Sequence, residues 1–141
     1  MLSKLLEKQV YIEISGNIST YIAQWQYGFL PGRSTMSQLS QVVHQFAKAL
    51  EMRQQIVVIY LDFSKAFDRV PHEKLLFKLE CLGIKGSLLA WFRSYLSGRR
   101  HKVVIDNLAS DFLPVISGVP QGSLLGPLLF LIYINDMPGV I

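Results

Sequence analysis

The sequence predicts an α+β fold in which a few strands are covered by several helices. Three observations carry that expectation. Hydrophobic residues make up 50% of the 141 and charged residues 17%, a balance that packs a core and excludes a disordered tail. Four stretches repeat apolar residues at helical spacing, and a fifth is apolar almost throughout. One run, Ile56 to Asp62, is nearly continuous Val, Ile, Tyr and Leu, the pattern of a central strand covered on both faces. The length suits one domain with a single modest core.

Each element has its own signal. Leu2, Leu5, Leu6, Val10 and Ile14 give the first sixteen residues a helical stripe. Tyr27 to Thr35 is a loop, because Pro31-Gly32 is a strong turn dipeptide. A helix follows from Ser37 to Met52, with Leu39, Val42, Val43, Phe46 and Leu50 on one face and a Ser/Thr cap before it. After the strand at 56–62, Pro71 opens a helix with Leu75, Leu76, Leu79 and Leu82 inward, and Gly83 stops it. Ser87 caps the next, which turns Leu88, Leu89, Phe92, Tyr95 and Leu96 inward and ends at Gly98. His101–Asp106 and Phe112–Ser117 read as two strands joined by a polar loop. Gly118–Ser123 is a Gly/Pro loop before a buried helix, Leu124–Ile134.

Composition removes several function classes. Cys81 is the one cysteine, which excludes a disulfide framework and a cysteine zinc cluster and suits a small buried hydrophobe. Lys4, Glu7, Lys8 and Glu13 interrupt Met1–Gly16, so no apolar signal-peptide centre exists there. The longest apolar run, Leu124–Ile134, is broken by Gly126 and Pro127 and falls short of the ~20 residues a bilayer span needs. The expectation is an intracellular protein of nucleus or cytoplasm, not secreted and with no membrane partner. GxxxxGK[ST] and GxGxxG loops are missing, as is a nucleophile elbow. His44, His72 and His101 are too scattered to suggest a histidine metal site.

Charge is uneven. Residues 56–105 carry nine basic and four acidic side chains, whereas residues 106–141 carry three acidic and no basic ones. The middle of the chain is therefore +5 and its last third −3. Such a basic middle suits a polyanion, and Arg93, Arg99, Arg100, His101 and Lys102 concentrate it around the Gly98 turn.

Asp62 is the informative residue. A carboxylate that ends a buried apolar strand is costly unless something pairs with it. It either caps the next turn or ligates Mg²⁺, a hard cation that prefers oxygen and accompanies phosphates. The segment after it, Phe63-Ser64-Lys65-Ala66-Phe67-Asp68, leaves the strand through small residues, and backbone N–H groups in such a turn can cradle phosphate. Phe67 follows Asp62 by five residues and is either core or a ring that packs under a sugar. Asp68 reads as a helix-entry cap, and Lys65, which could touch phosphate, as a surface lysine.

Three blocks carry a resemblance. YLDFSKAFDRVPHEKLL (Tyr60–Leu76) resembles motif A of reverse transcriptases from non-LTR, LINE-type retrotransposons. SGVPQGSLLGPLLFLIYINDMP (Ser117–Pro138) resembles their motif B and its following helix, and QYGFLPGRST (Gln26–Thr35) their fingers motif. The blocks stand in the family's order, and the resemblance covers nearly the whole chain from Leu2.

The resemblance implies the fingers–palm part of a right-hand polymerase, with residues 1–55 belonging to the fingers and 56–141 to the palm. It implies RNA-directed DNA polymerase chemistry with an RNA template, a DNA primer, a dNTP and two Mg²⁺ ions. By it, Asp62 is the first catalytic aspartate and binds both ions, and Phe63 lends its backbone carbonyl to the metal. The Ala66 and Phe67 amides face the triphosphate, and the Phe67 ring is the gate that selects deoxynucleotides. Gln121 and Gly122 pack on the incoming nucleotide and template, and Arg33 lies near the triphosphate. Arg99, Arg100 and Lys102 are expected on the nucleic-acid backbone. Gly118 and Gly122 would allow close backbone approach to a base pair, and Gln121 can orient a nucleotide without reading its base.

One departure limits that reading. Two-metal transfer needs a second carboxylate set, and the family's Phe/Tyr-Ala-Asp-Asp motif does not occur in these 141 residues. Asp136 is the one acidic residue after Asp111, and in the family its position is a structural helix end. The isolated chain is therefore expected to be an inactive polymerase fragment, clipped at its first fingers segment and truncated before the second catalytic motif. It is also expected to aggregate through an unpaired sheet edge. The rival readings are a non-catalytic, retroelement-derived nucleic-acid-binding protein and a non-functional relic.

Overall fold

A computed structural model of the chain describes residues 2–139. Helix α1 spans Leu2–Ser19, α2 Thr35–Glu51, α3 His72–Cys81, α4 Gly86–Leu96 and α5 Leu125–Ile134. Short 3-10 turns cover Phe67–Arg69 and Met137–Gly139. Packing divides the chain into two compact units, residues 1–22 with 65–141, and residues 23–64. The α+β class holds, with mixed helices and small antiparallel strands.

The larger unit is built on α5. Leu125, Leu128, Leu129, Phe130, Leu131 and Ile132 are all buried, as a helix apolar on every face requires. Helices α1 and α3 pack against it, and α4 packs against α3. Leu75, Leu76 and Leu79 on α3 and Phe92 and Leu96 on α4 complete the core, each contributing about 1.5–3 kcal/mol of burial. On α1 the buried stripe is Val10, Ile14 and Ile18, whereas Leu5 and Leu6 are exposed. The stripe thus starts a turn later than the sequence suggests, and its first member is Glu7, a buried carboxylate. The cap before α4 is Lys85, not Ser87. Cys81, at the end of α3, is exposed and not a core residue.

The two strands expected at 101–106 and 112–117 form one long hairpin. Strand β1 (Arg100–His101) pairs with β4 (Leu113–Pro114), and β2 (Val104–Ile105) with β3 (Leu108–Ala109), all antiparallel. Asp106 and Asn107 close it with φ of 46° and 68°, the backbone of a two-residue type I′ turn. Between the two short ladders, Ser110 replaces strand pairing. Its N–H donates to the Val103 carbonyl at 2.9 Å, and its hydroxyl accepts from Val103 N at 3.0 Å.

In the smaller unit, Ser34 caps α2 through a capping box with Ser37. The apolar face expected on this helix exists, but Leu39, Val43 and Leu50 are exposed and α2 has no buried residue. The main correction falls at residues 56–62. Ile56–Leu61 is not a covered central strand: it has no regular secondary structure, and Val57 and Tyr60 are 86% and 87% exposed. The apolar pattern is a strand's, but a strand needs a neighbour to accept its N–H and C=O groups. Among the described residues every strand is already paired within the hairpin.

Candidate nucleotide and nucleic-acid site

The site is organised by two loops of the larger unit. The 3-10 turn Phe67–Arg69 passes into extended backbone at Val70, and residues 117–119 run beside residues 67–70. Gly118 N–H donates to the Val70 carbonyl at 2.8 Å, and Val119 N–H to the Phe67 carbonyl at 2.9 Å. The Ser117 hydroxyl donates to the Asp68 carbonyl at 2.8 Å. His72 Nε2–H donates to the Gly118 carbonyl at 2.9 Å. Contact is tight enough to fix one residue type. A Cβ on Gly118 would stand 2.8 Å from both Cα and the carbonyl oxygen of Asp68, and its φ is +90°. Gly118 thus serves an approach of the chain to itself.

Side chains finish the junction. Gln121 Nε2 donates to Asp68 Oδ1 at 2.8 Å. Asp68 is therefore not the helix cap expected from its position but the residue that orients Gln121. Beyond Gln121 the loop is locked onto α5. The Ser123 hydroxyl donates to the Pro120 carbonyl at 2.7 Å and accepts from Gly126 N at 2.8 Å. A Cβ on Gly126 would meet the Pro120 carbonyl at 2.5 Å, so only glycine lets loop and helix close. Glu7 Oε2 accepts from Leu124 N at 2.8 Å, a negative charge placed where a helix N-terminus is positive.

These constraints leave a pocket of about 340 Å³ lined by Phe67, Pro120, Gln121, Gly122 and Pro127. Three residues singled out from sequence therefore share one wall: Phe67, Gln121 and Gly122. The Phe67 ring is held from behind by Phe130, with centroids 4.6 Å apart and planes 20° from parallel. Phe67 thus packs on the core with one face while lining the pocket. Ala66 precedes it at the start of the 3-10 turn and does not line the pocket.

The basic residues separate into two groups. Arg99 lines a cleft of about 540 Å³ together with Lys65, His101, Asp68 and Gln121. Arg100 and Lys102 instead hold their charges over the Phe112 ring, at 5.0 and 5.1 Å from its centroid. Both Lys65, which the sequence marks as a surface lysine, and His101, a member of the basic patch around the Gly98 turn, line this cleft.

Asp62, Phe63 and Arg33 lie in the unit of residues 23–64. Asp62 and Phe63 are exposed on its irregular segment. Arg33 Nη1 donates to the Gln24 and Gln26 carbonyls, and its guanidinium stands 5.5 Å from the Tyr27 ring centroid. It shapes the loop with two of the five donors a guanidinium carries. No group of three or more His, Cys, Asp or Glu is arranged to hold a metal ion among the described residues. Asp136 forms an ion pair with Lys78, whose hydrogen bond holds its carboxyl below the usual value. That pairing fits a structural helix end.

One buried group is out of balance. The Tyr95 hydroxyl is buried and completes no hydrogen bond. Burial raises its pKa above 10.0, with the Ser123 hydroxyl opposing and the nearby Glu7 charge reinforcing the shift.

The whole chain, residues 1–141, matches the family described as "Reverse transcriptase (RNA-dependent DNA polymerase)". Over 139 residues, 97% of the chain, it is 37% identical to the "RNA-directed DNA polymerase from mobile element jockey" of Drosophila funebris. Over the same span it is 34% identical to the protein of that name from Drosophila melanogaster. The chain covers 15% of the length of each relative.

Proposed function

Since the chain belongs to the reverse transcriptase (RNA-dependent DNA polymerase) family, we propose that it forms the nucleotide-facing part of an RNA-directed DNA polymerase of a non-LTR retrotransposon. The reaction is attack of a primer 3′-hydroxyl on the α-phosphorus of a dNTP, with pyrophosphate leaving. RNA template, DNA primer and dNTP are the partners, inside the cell in nucleus or cytoplasm. The fingers–palm division near residue 55 belongs to the same reading. Relatives named as polymerases favour it over a non-catalytic binding protein.

The observation that carries the proposal is the junction of residues 66–70 with 117–122. It supports a pocket in which Phe67 meets the sugar and excludes a 2′-hydroxyl, while Gly122 admits the nucleotide without a side chain in the way. Gln121 is aimed by Asp68, so its amide presents a fixed acceptor and donor. Positioning and charge stabilisation do most of the work in phosphoryl transfer, and rigid backbone bonds supply the first. Ala66 and Phe67 amides, the Phe63 carbonyl and Arg33 keep the roles their motifs imply. Arg99, Arg100 and Lys102 contact the nucleic-acid backbone.

The metal fits only in part. Two Mg²⁺ ions would stabilise the attacking and leaving oxygens, and Asp62 is one suitable carboxylate. The described residues do not complete such a centre.

The test is a chimera in which this chain replaces the matching segment of the jockey polymerase. Extension of a DNA primer on an RNA template is expected, falling to background on Asp62→Ala. A chimera that binds template–primer but fails to extend it, or an Asp62→Ala variant that extends normally, would contradict the proposal.

A further inference from the structure

We propose that Glu7 on α1 is a positioning residue for the nucleotide pocket: its carboxylate anchors the loop of residues 118–124 and so fixes the wall made by Gln121 and Gly122. The inference rests on the polymerase reading and adds to it a side chain that touches no substrate and acts through the loop.

Packing alone does not account for Glu7. It is the one buried polar or charged side chain among the described residues, on the helix face it shares with Val10, Ile14 and Ile18. The salt bridges of the described residues, Lys78–Asp136 and Arg93–Glu73, do not include it. A buried carboxylate without a cation is costly, and an apolar side chain would pack there better. What offsets the cost is the hydrogen bond that Oε2 accepts from Leu124 N at 2.8 Å. Leu124 is the N-cap of α5. A negative charge there meets the positive end of a helix, and a charge-assisted bond is stronger than a neutral one.

The bond falls at the end of the loop that is otherwise held only by its own residues. Upstream, Gly118 and Val119 are tied through backbone to Val70 and Phe67, and Asp68 holds the Gln121 amide. Downstream, the Ser123 hydroxyl bonds to Pro120 O and Gly126 N. Those two bonds are local and set the shape of the turn into α5. Glu7, 117 residues away in sequence, ties that turn to a different helix. Gln121 and Gly122 lie between the two sets of anchors, and Gly122 turns the chain at φ 73°. A loop released downstream keeps its bonds to residues 67–70 but no longer presents Gln121 and Gly122 at a fixed distance from Phe67.

The experiment is steady-state extension of a DNA primer on an RNA template by the jockey chimera, with the dNTP concentration varied. Methionine and glutamine are similar in length to glutamate, and only glutamine keeps an acceptor for Leu124 N. Glu7→Met should raise KM for dNTP by about tenfold, less than the roughly hundredfold that a misplacement of 1 Å can cost, with kcat changed less. Glu7→Gln, whose neutral bond is weaker, should raise it about threefold. Ile14→Ala is the control. It lies about two turns along the same buried face and borders a separate cavity with Leu82 and Leu88. It weakens the core without touching the loop and should leave KM unchanged. Partial unfolding lowers the amount of active enzyme, hence the apparent kcat, but not KM, so a merely structural role does not mimic the result. If Glu7→Met does not fold, Glu7→Gln against Ile14→Ala carries the test.

A KM for Glu7→Met equal to that of the unaltered chimera, or raised as much by Ile14→Ala, would overturn the proposal. Hydrogen exchange in the 141-residue chain separates it from the polymerase reading, because exchange needs no nucleotide. The amides of Gln121, Gly122 and Leu124 should exchange faster in Glu7→Met than in Ile14→Ala, while those of the hairpin at 104–109 should match. A chimera that fails to extend, with that exchange pattern intact, faults the polymerase reading and leaves Glu7 as the anchor of the loop. An unchanged pattern beside a chimera that extends faults the anchor alone.

Discussion

At the scale of single residues, the site is held by groups whose substitution effects have opposite signs. Gly118 and Gly126 are fixed by backbone a Cβ would strike, whereas the Tyr95 hydroxyl is a group the core would lose without harm. Tyr95→Phe keeps the ring stacked on Trp91, with centroids 5.0 Å apart, and removes a buried hydroxyl that completes no hydrogen bond. It should stabilise the chain by about 1 kcal/mol in urea unfolding, the low end of the penalty for an unsatisfied polar group. The pH dependence follows from the raised phenol. The folded state favours the protonated form, so its contribution is complete below the unfolded value of 10.0 and is lost as pH rises towards the folded value. Tyr95→Phe should abolish that alkaline loss, and an unchanged slope above pH 10.0 would show that the phenol is not its source.

Elements were legible where their signals are local. The Ser/Thr cap before α2, which Ser34 supplies three residues ahead of the expected helix start at Ser37, the turn at Pro31-Gly32 and the stops at Gly83 and Gly98 each act within a few residues. So does the apolar α5, and all are found where the sequence indicates. What was missed depends on residues far apart in the chain. Nothing near Asp68 announces that Gln121, 53 residues on, takes its carboxylate. Glu7 is a subtler case. It stands three and seven residues before Val10 and Ile14, on the face that becomes buried, so the helical period could have flagged it. Its partner, the Leu124 N–H 117 residues away, could not be read. Removing that acceptor should matter: Glu7→Ala leaves a part-buried N–H unpaired and should cost about 1–3 kcal/mol. Glu7→Gln, which keeps a carbonyl acceptor, should cost less. Urea unfolding of both variants checks the order, and equal losses would mean that charge, not the hydrogen bond, holds α5.

For the whole molecule, the decisive feature is the exposed apolar segment Ile56–Leu61. Its composition predicts a strand, but strand formation is a property of pairs, and every strand among the described residues pairs within the hairpin. Its exposure makes it the place where separate chains would pair through backbone. Val57→Lys with Ile59→Lys puts charge on residues that are 86% and 77% exposed. The double variant should stay monomeric at concentrations where the unaltered chain aggregates, read by light scattering. Undiminished aggregation would move the cause elsewhere.

The candidate site was legible to a different depth. Resemblance named Phe67, Gln121 and Gly122, and the fold of the larger unit explains why they converge on one pocket. The most direct measurement is therefore the footprint of a dNTP on the backbone amides of the isotope-labelled chain, taken by NMR on the double-lysine variant. Shifts are expected to concentrate at Ala66, Phe67, Gln121 and Gly122. Shifts absent from those residues, or gathered instead at the hairpin tip around Asp106 and Asn107, would contradict a nucleotide pocket at this junction.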